Sequence, residues 1–208
     1  MMLQQRNPRF RWPFFAAAAW LLVMPRVASA HLVTTGLGPI YDGVGHLVMT
    51  VDDLIPVIGI ALLAGLQGPE AGRRVLFTLP IAWFIGGMFG LRAPQETTFP
   101  FYCGSFLLLG VLIATNLRLP PLVIGALSMI MGLCHGFADG SAIKDAGVGA
   151  AVLEFIGIVT ILFVIQALVA AFVVWLRWEW TRIAVRVAGS WIAAMGLLLL
   201  GWVLHTAK

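Results

Sequence analysis

Six apolar runs, each close to the length of a membrane crossing, dominate what this chain can fold into: Val44 to Leu66, Val75 to Leu91, Phe99 to Leu117, Leu119 to Ala138, Ala146 to Leu176 and Val187 to Leu204. A bilayer core of about 30 Å takes about 20 predominantly apolar residues in a helix. The expected fold is therefore all-α, a polytopic membrane helical bundle of about six transmembrane helices. The second and last runs are near the short limit, and the fifth is long enough to tilt, break or extend past the bilayer. No convincing internal repeat accompanies them.

Composition agrees, with 61% hydrophobic and 11% charged residues, far from the values of soluble domains. The net charge of +4 does not point to nucleic acid. Of 13 Lys and Arg, Arg6, Arg9, Arg11 and Arg26 precede residue 31, which leaves nine basic residues against nine acidic ones. That basic excess belongs to a targeting signature, and no nucleic-acid partner is expected. Residues 1–30 have the plan of a secretory signal peptide: a basic region ending at Arg11, an apolar region from Trp12 to about Met24, and Ala28-Ser29-Ala30 for cleavage. A single transmembrane domain over 31–208 then follows. Cleavage would expose the α-amino group of His31 beside its imidazole, a pair that can chelate a metal. An uncleaved first helix is the alternative, since Pro25 and Arg26 fit either.

Loop charges orient the chain. With the mature N-terminus outside, the inner loops hold Arg73, Arg74, Arg118, Arg177, Arg182 and Arg186, and the outer side holds Arg92, Lys144 and Lys208. The positive-inside rule favours that topology, with Trp175, Trp178 and Trp180 as anchors at the inner headgroup level. The expected location is a bacterial-type inner membrane.

Two stretches place ionisable groups inside apolar runs. The first holds His46, Thr50 and Asp53 on one helical face, with Asp52 about a third of a turn away. The second holds His135 and Asp139, four residues apart and so also on one face. At about 1.5 Å per residue, Asp53 lies roughly 13 Å in from Val44 and His135 roughly 8 Å in from Gly140, with Glu154 at similar depth. All fall in the outer half of the membrane. Intramembrane ionisable residues are costly and mark ion or proton pathways. Each alone could simply hydrogen-bond to a neighbouring helix; together at one depth they read as ligands. Imidazole and carboxylate in one set suit a borderline divalent transition metal. Gly132, Gly136 and Gly140 form a small-residue stripe of the kind that lets helices approach closely. Cys103 and Cys134 are too few for a disulfide framework and read as buried thiols, with soft ligation or a disulfide as the alternatives. Asp42 and Asp145 sit at helix ends as caps, and His205 is a solvated terminal residue.

These two stretches resemble the motifs of the HupE/UreJ family of small membrane proteins, regarded as nickel or cobalt permeases serving hydrogenase and urease. That family shows a cleavable signal, a His near the mature N-terminus, six helices, a first-helix motif of His, five residues, then Asp-His, and a later Phe-His-Gly-x-Ala-His-Gly-x-Glu. The first maps onto His46, Asp52 and Asp53, and the second onto Cys134-His135-Gly136-Phe137-Ala138-Asp139-Gly140-Ser141-Ala142. The second His of each motif is Asp here, at Asp53 and Asp139, and the final Glu is Ala142. The exchange makes the site harder and more anionic, leaving room for cobalt, manganese, iron or zinc beside nickel. Glu154 is positioned to replace the missing carboxylate.

The resemblance and the residues together lead us to expect a permease, not an enzyme, that takes up a divalent transition metal as cargo, with no permanently bound cofactor. His31 would collect the ion, His46, Asp53, His135 and Asp139 would hold it, Asp52 would be a partner or further ligand, and Glu154 a ligand, a proton carrier or an interhelical bond. Affinity should fall below about pH 6, where imidazole protonates. The sequence has no ATP-binding P-loop, GxxxxGKS/T, so energy is expected from ion gradients, the membrane potential or a partner. The alternatives are a non-transporting accessory or assembly factor for a metalloenzyme such as hydrogenase or urease, acting with its maturation proteins, and an intramembrane enzyme with a metal-activated water.

Overall fold

Each apolar run is helical over most of its described residues. The computed structural model describes residues 34–93, 101–143, 147–176 and 178–206, and the described residues form seven helices and no strand. They are α1 (Pro39–Met49), α2 (Val51–Gln67), α3 (Pro69–Gly90), α4 (Phe101–Thr115), α5 (Pro121–Ile143), α6 (Val148–Trp175) and α7 (Glu179–Thr206). The expected signal peptide over residues 1–30 and His31 lie outside the described residues, as do Lys144, Asp145 and Arg177.

The first run departs from expectation. Val44 to Leu66 is not one helix: the chain is helical from Pro39, breaks at Thr50 and resumes at Val51 with a bend of 75°. Thr50 takes an extended backbone, φ −89° and ψ 98°, a conformation that suits its β-branched side chain. Pro56, inside α2, has no N–H for the Asp52 carbonyl, which removes a bond that would stiffen a continuous helix here. Asp52 and Asp53 consequently stand in the first turn of α2, where the free N–H groups and the helix dipole favour carboxylates.

Among the described residues, three helices are long and apolar enough to cross a membrane: Pro121–Ile143, Val148–Trp175 and Glu179–His205. The bent pair α1–α2 makes a fourth if it counts as one span, and α4 is apolar but shorter. Within the long fifth run, Val148–Trp175 is one unbroken helix of 28 residues. Large apolar side chains such as Phe77, Ile81, Ile85, Phe89, Leu168 and Phe172 are exposed, a surface on the scale that marks membrane contact.

Close approaches fix the helix directions. Leu79, Trp83 and Gly87 of α3 meet Gly132, Gly136 and Gly140 of α5 in order, so these helices run parallel. Val57 bonds Gln166 and Gly65 touches Val173, so α2 parallels α6. Gly110 lies on Ala193 and Gly189 on Ile113, so α4 and α7 are antiparallel. The starts of α2, α4 and α6 therefore gather at the same end as the finishes of α3 and α5. The glycine stripe of α5 does bring helices together, but its partner is α3, through the Trp83 backbone.

Candidate metal centre

At that gathered end, the buried carboxylates of Asp53 and Asp139 face the imidazole of His46. His46 Nε2 is 3.9 Å from Asp53 Oδ2 and 3.6 Å from Asp139 Oδ1, and one ligand atom from each of the three lies within 4.8 Å of the others. Neighbouring donors on a first-row ion, bound at about 2.1 Å, sit about 3.0–3.4 Å apart. Small side-chain shifts would close this cluster on an ion. In a straight helix, His46 and Asp53 would stand about 10 Å apart along the axis. The break at Thr50 is what lets one ion reach both.

The other oxygen of each carboxylate is held from behind. His135 Nδ1 meets Asp53 Oδ1 at 3.0 Å, and its Nε2 meets the Ser105 hydroxyl at 3.3 Å. The His135 ring stacks on Trp83 at 5.3 Å and is edged by Phe101 and Tyr102. Trp83 donates from Nε1 to Asp139 Oδ2 at 2.8 Å. The front oxygens are left to His46, whose Nε2 has no hydrogen bond and whose side chain retains 14% exposure. Two buried carboxylates side by side are costly unless countercharge arrives, and a divalent cation supplies it.

Three expected site residues are not among the three clustered donors. His135 is buried beside the cluster, with its nitrogens engaged by Asp53 and Ser105. Asp52 is exposed and outside the cluster. Glu154 is buried, with Oε1 lacking a hydrogen bond, and lies within electrostatic range of His46 but outside the cluster of three. Gly43 of α1 packs on the Glu154 carbonyl, and Gly157 of α6 on that of Ile40, which draws α1 onto α6. Asp42 does not cap: it stands inside the first turn of α1, whose N-cap is Gly38 with no side-chain cap bond, and its carboxylate accepts from the Thr35 hydroxyl at 2.7 Å, tying the preceding segment to the helix. Cys103 and Cys134 are free thiols.

Sequence reading missed Trp83 and Ser105. Trp83 had a signal, because it sits inside an apolar run and not at the interfacial ends where Trp is common. Trp83→Phe keeps the ring and removes the donor. It should weaken metal binding about 10–100-fold, as for other groups that orient a ligand, without changing the helical content. Titration calorimetry with circular dichroism checks both.

An all-helical protein of membrane character, with a His/carboxylate cluster buried where its helix ends gather, is the class these features define. The chain belongs to the HupE/UreJ family: the family described as HupE / UreJ protein matches residues 19–199. That is a family of membrane proteins for nickel/cobalt transport or its accessory functions. No curated protein and no solved structure matches the chain.

Proposed function

We propose that this chain is a multi-pass inner-membrane permease that captures a divalent transition metal ion on the outer side and passes it toward the cytoplasm. The observation that carries the reading is the facing set of His46 Nε2, Asp53 Oδ2 and Asp139 Oδ1, in which the nitrogen has no hydrogen bond while His135 and Trp83 occupy the rear oxygens. Such an arrangement is preorganised for a cation, because the donors are fixed before the ion arrives. His46, the partly exposed member, is the first contact, and the two carboxylates neutralise the charge of the ion. His31 collects the ion at the mature N-terminus, and Glu154 adds a carboxylate as the ion turns inward.

One imidazole with two carboxylates is harder than a His-rich set. Cobalt and nickel are the expected cargo, with manganese, iron and zinc compatible with the same donors. Six crossings, formed by α1–α2 as one broken span and by α3 to α7, would put the cluster in the outer half of the membrane.

Uptake by vesicles containing the purified protein, measured for nickel, cobalt, manganese, iron and zinc, tests the reading. Selective uptake is expected, with Ala at His46 reducing it to the rate of empty vesicles. Tight binding without uptake would instead make the protein an accessory factor for metalloenzyme assembly.

A further inference from the structure

Inward of the cluster, one buried side chain is left with an unused acceptor. Gln166 lies on the buried stripe of α6 between Leu162 and Ala170, and is 1% exposed. Its Nε2 donates to the Val57 carbonyl at 2.8 Å, while its Oε1 has no hydrogen-bond partner. A carbonyl can only accept, so Val57 fixes the amide with its oxygen turned away. An unsatisfied buried acceptor is destabilising, a cost which the apolar residues on either side avoid. The hydroxyls of Thr78 and Ser128, by contrast, are satisfied: they bond each other, and Ser128 also donates to the Gly125 carbonyl.

Position gives the oxygen a use. Val57 follows Asp53 by one turn of α2, about 6 Å further from the helix start. α2 and α6 run parallel, and helical side chains tilt toward the N-terminus, so Gln166 leans back from the inner side toward the cluster. Pro56, beside Val57, withholds the usual donor from the Asp52 carbonyl, leaving the backbone here rich in oxygen.

We propose that Gln166 Oε1 is the next coordination point for a divalent cation leaving His46, Asp53 and Asp139, a transit site one helical turn inward of the cluster. The inference rests on the permease reading and adds a step to it. A neutral amide oxygen holds a divalent ion more weakly than a carboxylate. That suits a stage which must accept the ion and let it go, since conduction requires binding weak enough for exit.

The test uses the full chain, cobalt(II) as the probe, and two variants, Gln166→Leu and Gln166→Glu. In detergent, Gln166→Leu should bind cobalt with affinity within about twofold of the unmodified protein, because Gln166 shares no hydrogen-bond partner with the three clustered donors. In vesicles it should take up cobalt at least about tenfold more slowly. Gln166→Glu should bind one additional equivalent of cobalt, the carboxylate turning a passing point into a trap. A structural role through the Val57 bond predicts that both variants behave alike, since neither keeps the amide donor. Normal uptake by Gln166→Leu, or no added equivalent in Gln166→Glu, overturns the proposal. If the unmodified protein takes up no cobalt, the permease reading fails, and the stoichiometry of Gln166→Glu still decides whether a cation site exists here.

Discussion

Asp53→Asn is expected to abolish high-affinity metal binding, with an affinity loss of at least about 100-fold, the upper end for groups that merely orient ligands. Asp53 is the hinge of the site. One oxygen meets His135 Nδ1 at 3.0 Å and the other faces His46 Nε2 at 3.9 Å, so an amide removes a negative charge and loses one acceptor. Asp52→Asn makes the same chemical change one residue away, on an exposed side chain outside the cluster. It should alter affinity by no more than about twofold, in line with surface substitutions of about 0.5 kcal/mol or less. Titration calorimetry with cobalt(II) on both purified variants measures the contrast. Equal losses would place the site at the start of α2 in general and not at the Asp53 carboxylate.

The second large effect is on the scaffold. A Cβ at Gly136 would fall on the Trp83 carbonyl, with the Trp83 carbonyl carbon 2.8 Å away. Both contacts are backbone, so neither can turn aside, and Gly136→Leu must push α3 from α5. Overpacking costs typically about 1–3 kcal/mol and more where backbone has to move. It should also carry Trp83 away from Asp139 and weaken metal binding. Gly104→Leu is the control, because nothing lies within 4 Å of a Cβ there. Thermal unfolding in detergent should show a marked drop for the first variant and little change for the second.

The helices were legible because each apolar run leaves few other arrangements in a bilayer. His46, Asp53, His135 and Asp139 were legible as one group because helical spacing and depth put them together. The geometry inside the group was not. Shared-face reasoning on a straight helix leaves His46 and Asp53 about two turns apart, and the bend at Thr50 that brings them together depends on a Thr and a Pro whose effect is settled by packing. His135 shares a face with Asp139, yet a ring nitrogen can ligate or orient, and spacing does not distinguish them. In the structure its two nitrogens are engaged by Asp53 and Ser105, which approach from two other helices. Trp83 reaches Asp139 only because glycines let α3 and α5 touch backbone to backbone. The stripe 132-136-140 was visible in the sequence, but its partner helix was not.

X-ray absorption at the metal edge, on protein holding one equivalent of cobalt(II), examines the proposed ligand set directly. The account predicts a shell of nitrogen and oxygen donors with a single imidazole, no sulfur, and loss of the imidazole signal in His46→Ala. A sulfur shell from Cys103 or Cys134, or an imidazole signal that survives in His46→Ala, would contradict it.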